Sequence, residues 1–434
     1  MRNNENTPTR SWKGVTRRLI VAGTSALMVA SLMTPSAAFA AESISVEGTD
    51  YNWQEGGYSG TGSNGGTWSW DTAENLTLNN YDGGAISAKG DLTVTYSGTN
   101  TITNEAKYGQ SIFTEATDEE DGDLSVNADG DATLNLSAAD PIYAYSGDVD
   151  IEGGTVNIES TKDYGFGIDS NGDITISNAS VNVKSNSADG DADAISADGS
   201  VTINNSKVKI EATGKYGATG IHSEDASEGC GGIVINNSTI DIVASSVEGS
   251  AFGIDASLDS ESPAGVAIKD STVNVSATGA DSAVGIYAGN DSGKAYVNIN
   301  NSNVTAKAKA TGDEHEGQAA IMAYSSDGAS ITIDGAEIKT PENGEVYTCE
   351  EGEIASIGIK GASEFEDAAS EVVISTLKDD EAEPEAEIAP ASYTKAGEKK
   401  LAQTGDASAA GMFAAAAAGI SALGAGAFLS RRRS

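Results

Sequence analysis

The chain has two histidines, and one of them occupies a position that recurs elsewhere in the sequence as an aspartate. His222, Asp255 and Asp169 each directly follow an isoleucine in similar segments. If these segments stack as successive turns, His222 and Asp255 are neighbours and could act together as an acid–base pair. Asp169 and Asp255 would then be three turns apart, about 14 Å at the usual strand spacing. The two carboxyl groups of a glycosidase lie about 5 to 9.5 Å apart, so these two aspartates do not form such a pair.

Other features of the sequence argue against catalysis. The second histidine, His315, lies in the acidic segment 312–317, and no arginine occurs between residues 41 and 430. The arginine base of many polysaccharide lyases is therefore missing, and the acidic chain would repel an acidic polymer. We interpret His222 as an exposed strand residue and the protein as a non-enzyme. The alternative is a wall-anchored polysaccharide hydrolase or lyase of the β-helix type that uses His222 and Asp255.

A cluster of aromatic residues near the start of the chain is a candidate sugar-binding surface. Residues 42–82 contain three of the four tryptophans. Their flat apolar faces could stack on sugar rings. The end of a repeat structure also needs a cap, and large apolar side chains can provide one. We favour the cap over the stacking surface, whose candidate residues are Tyr51, Trp53, Tyr58, Trp68 and Trp70.

The elements that would position these residues are strands of a repeat. Between Val149 and Ile338 one pattern of two apolar–polar–apolar triplets occurs seven times. Alternation of apolar and polar residues is the period of a half-buried β-strand. An isoleucine before each pair of triplets marks a third strand, and three short strands in a constant frame indicate a solenoid. The isoleucine anchors are Ile86, Ile112, Ile142, Ile168, Ile195, Ile221, Ile254, Ile286 and Ile321.

We therefore predict an all-β fold: a right-handed parallel β-helix of roughly ten coils, with a helix in the N-terminal signal and another in the C-terminal sorting segment. The predicted hand follows because parallel crossovers are almost always right-handed. A tight corner between two strands needs a residue type that tolerates a left-handed backbone. Such a residue follows the first triplet of every repeat, and stacked asparagines there are expected to hydrogen-bond along the axis. The corner residues are Gly153, Asn178, Asn205, Asn237, Asp270, Asn301 and Gly335.

The charge of the chain excludes one class of partner. The formal net charge is -40 at pH 7, and such a surface repels phosphate backbones, so we expect no binding to nucleic acid. The segment Asp189–Asp193 has the aspartate spacing that begins a calcium loop. The loop's sixth and twelfth positions hold Ala194 and Ser200 in place of glycine and glutamate. We expect a solvated turn and no cofactor, with a calcium ion as the alternative.

The beginning of the chain has the pattern of a secretion signal. Arg17 and Arg18 precede the apolar run 19–32. Small residues at Ala38 and Ala40 then mark cleavage before Ala41. We expect residues 1–40 to be removed during export.

The end of the chain resembles a cell-wall sorting signal. A short motif is followed by the apolar stretch 411–429 and then by three arginines. The apolar stretch would insert transiently into the membrane, and the arginines would hold its end inside. The resemblance implies that a sortase cuts after Thr404 and joins it to peptidoglycan. Alanine in place of the commoner proline resembles the sortase substrates of high-GC Gram-positive bacteria; the motif residues are Leu401, Ala402, Gln403, Thr404 and Gly405.

Residues 68–102 resemble a family of bacterial surface proteins labelled carbohydrate-binding-domain proteins. The resemblance lies in the segments Trp68–Asp71, Leu76–Ile86, Asp91–Val94 and Gly98–Ile102. It implies a glycan-binding β-solenoid but assigns no binding residues. We therefore expect an extracellular adhesion or carbohydrate-binding protein on the cell wall, whose ligand is a glycan or a host surface molecule. Its expected parts are a signal peptide (1–40), an aromatic cap (41–82), a β-helix (83–377), an acidic linker (378–400) and a sorting segment (401–434).

We predict that Thr404→Ala prevents attachment to the cell wall, because the acyl link to the wall forms at this residue. In a host with a matching sortase, most of the variant should move from the wall fraction to the membrane fraction. Ser408→Ala, just outside the motif, is the control and should stay wall-linked. Mass spectrometry of wall-released protein should find a chain that ends at Thr404. Wall-linked protein that retains residues 431–433 would contradict the prediction.

Overall fold

The computed structural model describes residues 41–377, apart from 55–56, 73–74, 119–120, 161–164, 225–230, 259–262, 313–316 and 350–351. These residues form β-structure almost throughout; they contain no α-helix and one short 3-10 helix, Phe365–Asp367. The fold is a parallel β-solenoid of about seven regular turns. This confirms the predicted parallel β-helix, whose regular part is shorter than the roughly ten coils expected. The predicted helices of the signal and the sorting segment lie outside the described residues.

Each regular turn consists of three strands, and strands at the same position in successive turns stack into one wall. The strands are numbered in chain order, and the first five are β1 (Ser43–Val46), β2 (Thr49–Asn52), β3 (Tyr58–Gly62), β4 (Gly65–Thr72) and β5 (Asn75–Gly83). The anchor wall contains β6 (Ile86–Lys89), β9 (Gln110–Glu115), β12 (Asp140–Ala144), β15 (Gly165–Ser170), β18 (Asp191–Ala197), β21 (Gly217–Ser223), β24 (Ser250–Leu258), β27 (Ser282–Asn290) and β30 (Gly317–Ser325). The first wall contains β7 (Leu92–Ser97), β10 (Leu124–Ala128), β13 (Val149–Glu152), β16 (Ile174–Ser177), β19 (Val201–Asn204), β22 (Gly231–Asn236), β25 (Ala264–Lys269), β28 (Ala295–Asn300) and β31 (Ala329–Asp334). The second wall contains β8 (Thr99–Thr103), β11 (Thr133–Ala138), β14 (Thr155–Ser160), β17 (Ser180–Asn186), β20 (Lys207–Gly214), β23 (Thr239–Ser246), β26 (Thr272–Gly279) and β29 (Asn303–Ala310). The last four strands are β32 (Ala336–Thr340), β33 (Gly344–Cys349), β34 (Ile354–Ile359) and β35 (Glu371–Thr376).

The isoleucine anchors form one vertical file, as the sequence predicts. Parallel pairing places Ile168 between Ile142 and Ile195, and the same register joins all nine anchors from β6 to β30. Every anchor is at most 1% exposed. Because burial of a side chain of this size contributes about 1.5–3 kcal/mol, this file is a major source of cohesion between turns.

The corners between the first and second walls have the predicted left-handed backbone. The φ angles of Asn178, Asn205 and Asn237 are 53°, 50° and 46°. The side chains of neighbouring corners are joined along the axis, since Asn237 Nδ2 donates to Asn205 Oδ1 at 2.7 Å. Asn301 Nδ2 donates in the same way to Asp270 Oδ1 at 2.6 Å. The corner column therefore sets both the backbone turn and a polar contact between turns.

A buried column of serines lies beside the corners. Ser206, Ser238, Ser271 and Ser302 each directly follow a corner residue and are at most 6% exposed. The backbone N–H groups of Ser206, Ser238 and Ser271 each donate to Oγ of the serine one turn further on, at 3.0 to 3.1 Å. These bonds satisfy backbone donors that would otherwise be buried without a partner.

Antiparallel strands close both ends of the parallel stack. At the start, β1 pairs antiparallel with β6, and β4 pairs antiparallel with β5. Strand β5 is already parallel to β7 and β8, so solenoid pairing begins inside the predicted cap region. At the other end, β34 pairs antiparallel with β30, and β35 pairs antiparallel with both β29 and β32. The first and last strands of the anchor wall, β6 and β30, and the last strand of the second wall, β29, are thus covered by antiparallel partners.

We predict that Asn205→Ala lowers the free energy of unfolding by about 1–2 kcal/mol, because alanine disfavours the left-handed corner. In Asn205→Gly the glycine adopts the left-handed backbone easily, and only the exposed side-chain hydrogen bond is lost. The free energy of unfolding of this variant should therefore fall less, by about 0.5–1 kcal/mol. Urea unfolding followed by circular dichroism measures both variants. An equal loss in the two variants would show that the backbone conformation does not control stability at this corner.

Candidate functional site

The anchor wall breaks the alternation of inward and outward residues once in every turn. The residue directly before the anchor also faces the interior, and the hydrogen-bond register skips this position. A Cβ added to Gly253 would lie 1.9 Å from Val275 Cγ1 of the second wall. Only a small residue fits there; the residues are Gly167, Ala194, Gly220, Gly253, Gly285 and Ala320.

Two outward columns of side chains flank this pair of inward residues, and the side chains in the middle of both columns are shielded from solvent. We call these columns together the anchor-wall groove. The near column, one residue after each anchor, is Phe113, Tyr143, Asp169, Ser196, His222, Asp255, Tyr287 and Met322. The far column, two residues before each anchor, is Gln110, Asp140, Phe166, Asp193, Thr219, Phe252, Val284 and Ala319.

The middle of the groove is buried although it belongs to an outer face. His222 is 9% exposed and Asp255 is 7% exposed, while Thr219 is 1% exposed. The sequence-based expectation that His222 is an exposed strand residue is therefore wrong. Sequence reasoning missed the groove because it assumed strict alternation along each strand. The repeated Gly–Ile pair, as in Gly220–Ile221, is the signal that marks it.

Aromatic rings stand toward both ends of the groove. Phe113 and Tyr143 have ring centroids 5.7 Å apart, and Tyr145 contacts Tyr143 edge-on at 6.0 Å. At the other end, the rings of Phe252 and Tyr287 are 5.7 Å apart. The side chains between these two aromatic groups are mostly polar. Tyr287 is only 5% exposed, so Phe252 is the ring that stays partly exposed at this end. The groove thus offers partly exposed apolar faces toward its ends and hydrogen-bonding groups between them.

Two carboxyl groups of the groove, those of Asp169 and Asp140, are held in an environment that disfavours their charge. Burial, together with the nearby carboxylates of Asp140, Asp198 and Asp193, raises the pKa of Asp169 to about 7. Burial also raises the pKa of Asp140 to about 6. Near neutral pH, Asp169 is therefore protonated and neutral in a fraction of the protein molecules, and in these it can donate a hydrogen bond.

His222 and Asp255 lie side by side in the parallel register, as the sequence predicts. No hydrogen bond joins the two side chains among the described residues, since Nε2 of His222 has no partner and Asp255 accepts a short hydrogen bond from Ser257 Oγ instead. A histidine that acts as a general base is oriented by a hydrogen bond at its other ring nitrogen, and Asp255 does not supply one in this geometry. The other histidine, His315, lies outside the described residues.

The aromatic residues of the N-terminal region form one cluster of rings. Trp68 and Trp70 are 5% and 0% exposed. Tyr51 contacts Trp68 at 5.2 Å, and Tyr58 stacks on Trp70 at 6.2 Å between ring centroids. Burial removes both tryptophans from the candidate stacking surface and assigns them to the cap. Of the five candidates, Trp53 is the most exposed, at 38%, and its ring contacts Trp70 edge-on at 5.2 Å.

The described residues give no sign of a metal site or a membrane span. They contain no group of three or more His, Cys, Asp and Glu side chains placed to hold a metal ion. In the same part of the chain, no helix has the length and apolar character needed to cross a bilayer. The sorting motif Leu401–Gly405, the apolar stretch 411–429, and Ala38 and Ala40 lie outside the described residues. Ala41 is described and buried.

Comparisons with known proteins give no match from which a function could be inferred. No protein-family model matches it, and no curated protein and no solved structure matches it significantly.

We predict that Asp169→Asn stabilises the protein at alkaline pH but not at acidic pH. The pKa of Asp169 is raised to about 7 in the folded state, against about 3.9 in an unfolded chain. Protonation of Asp169 therefore contributes stability below about pH 4, and this contribution is lost as the pH rises through about 7. The asparagine variant should gain on the order of 1 kcal/mol at pH 8, because partial exposure screens the charges.

Urea unfolding at a series of pH values measures this gain. Asp118→Asn, which removes an exposed carboxyl group from a turn, is the control for the change in net charge. An equal gain for Asp169→Asn at pH 4 and pH 8 would contradict the explanation by a raised pKa.

Proposed function

We propose that the protein is a secreted surface protein of a high-GC Gram-positive bacterium, joined covalently to peptidoglycan through Thr404. The support is the order of signals in the sequence. A secretion signal with small residues at Ala38 and Ala40 opens the chain, and the Leu401–Gly405 motif, an apolar stretch and three arginines close it. A sortase is the partner that this order implies. The acidic linker 378–400 then separates the solenoid from the wall.

We propose further that the solenoid acts as a carbohydrate-binding or adhesion module. The observation that carries this proposal is the anchor-wall groove, with aromatic pairs toward both ends and polar side chains between them. The resemblance of residues 68–102 to carbohydrate-binding-domain surface proteins points in the same direction. Because antiparallel strands occupy the ends of the stack, its long walls are the surfaces left for a ligand.

The groove is a better binding candidate than the N-terminal aromatic cluster. Of the cluster's rings, only Trp53 is more than one third exposed, and a single ring holds a sugar weakly. The groove instead aligns side chains on a stack of parallel strands, which fixes their spacing. Rigid positioning lowers the entropy lost when a ligand binds.

A polysaccharide hydrolase or lyase is less well supported. His222 and Asp255 are adjacent, but no hydrogen bond from Asp255 orients the His222 ring as a general base requires. Asp169 and Asp255 are three turns apart, about 14 Å by strand spacing, which is too far for a glycosidase pair. The groove therefore fits the recognition of a saccharide better than its cleavage.

We predict that the mature protein binds glycans on an array and that Tyr143→Ala weakens binding at least about tenfold, or about 1.4 kcal/mol. The tyrosine ring would supply a stacking face within the groove. Tyr216→Ala, which removes an exposed tyrosine away from the groove, is the control and should bind like the unchanged protein. Loss of binding in Trp53→Ala instead would move the site to the N-terminal cap.

The same protein should release no new reducing ends from the polysaccharides it binds. New reducing ends that disappear in His222→Ala would replace the binding function with hydrolysis. Absence of any glycan ligand would remove the proposed carbohydrate-binding function and leave the wall attachment to be tested separately.

A further inference from the structure

Two side chains of the anchor-wall groove carry buried polar atoms without a partner. Among the described residues, Oδ1 of Asp193 and Nε2 of His222 make no hydrogen bond. Asp193 is 6% exposed and His222 is 9% exposed. The two residues lie on neighbouring strands, β18 and β21. A buried polar group without a partner is unfavourable and rare in folded proteins, so a ligand that supplies the missing partners would recover the free energy lost on burial.

The charge of the groove restricts what that ligand can be. The near and far columns contain four carboxyl groups, and the anchor-wall strands from β9 to β30 contain no lysine or arginine. An anionic ligand would therefore be repelled. The unpartnered carboxylate oxygen of Asp193 needs a hydrogen-bond donor, and a positively charged donor gives the stronger bond.

The aromatic rings favour a saccharide over a cationic peptide. The partly exposed rings of Tyr143 and Phe252 stand four strand spacings apart, about 19 Å along the axis. The side chains of Asp169, Ser196 and His222 occupy the near-column positions between them, and Asp255 lies on the same strand as Phe252. An extended chain of sugars presents a flat face and a set of polar groups at every unit, which matches this regular row. A lysine-rich peptide would use the carboxylates but would have no face for the rings.

We propose that the anchor-wall groove binds an extended oligosaccharide of amino sugars. The ammonium and hydroxyl groups of the sugars donate to Asp169, Asp193 and Asp255, and sugar faces pack on the rings of Tyr143 and Phe252. His222 Nε2 takes a hydroxyl group as its missing partner. Because the unpartnered atoms are shielded from water, neighbouring side chains rotate when the ligand enters. This inference rests on the proposed glycan-binding function and adds its location and its ligand class.

Calorimetric titration of the mature protein with matched hexasaccharides tests the ligand class. The glucosamine hexamer should bind at least about tenfold more tightly than the N-acetylglucosamine hexamer, which has the same chain without the charge. A galacturonic acid hexamer should not bind. Equal affinity for the first two would overturn the proposed class while leaving the glycan-binding function in place. Equally tight binding of a lysine hexamer would reduce the groove to a non-specific acidic surface and overturn the proposal.

Variants of the groove test the site. Asp193→Asn and Asp255→Asn keep the size of the side chain and should each weaken binding of the glucosamine hexamer at least about tenfold. Asp150→Asn, which removes an exposed carboxyl group from the first wall, is the matched control and should bind normally. Normal binding by both groove variants would overturn the groove as the site while the glycan-binding function stands. Failure of every glycan to bind would overturn both.

The stability of a further variant separates a binding role from a structural one. His222→Leu removes a buried group that has no partner, so urea should unfold this variant at the same or a higher concentration. Its affinity for the glucosamine hexamer should nevertheless fall. A loss of stability together with normal binding would show that His222 serves the fold, and would contradict its place in the site.

Discussion

The structure depends on one constraint: every turn of the chain must return to the register of the turn before it. Parallel pairing then stacks residues of the same type on each other in successive turns. Isoleucine lies over isoleucine at the anchors, and serine lies over serine beside the corners. A one-residue slip would turn the apolar file outward, so the register is fixed by burial. The corner residues make the return possible, because their left-handed backbone turns the chain between two strands with few residues. The stack is therefore stabilised by the same few contacts in every turn, namely the buried isoleucines, the serine column and the corner residues, without a large globular core.

The anchor wall shows how one exception to the strand period creates a distinct surface. The small residue before each anchor lies against the second wall, and the close approach of Gly253 to Val275 leaves no room for a larger side chain. The outward columns on either side of this inward pair are shielded from solvent in the middle of the wall. Polar groups such as His222 and Asp193 are thereby buried on a face that would otherwise be open to solvent. The chemical character of the groove thus follows from a packing requirement inside the solenoid.

The sequence was enough to predict the parts of the fold that depend on local residue type. The anchors, the inward triplets and the left-handed corners follow from period and from conformational preference, and the register of Ile168 and the φ angle of Asn205 confirm them. The break in alternation along the anchor wall could not be predicted in the same way. It depends on contact between Gly253 and Val275, which lie in different walls. The period of a single strand carries no information about a contact between walls. The burial of Trp68 likewise depends on the antiparallel pairing of β3, β4 and β5, which carries no repeat signal.

The antiparallel strands at the two ends have a consequence for assembly. A parallel stack presents the same edge at every level, so an uncapped copy would offer its last turn as a template for the first turn of the next. Strand β1 at one end and strands β34 and β35 at the other reverse the chain direction at these edges. The register cannot be continued across such a reversal. The caps therefore oppose end-to-end polymerisation into a fibre, and they let a sequence of nearly identical turns exist as separate molecules of defined length.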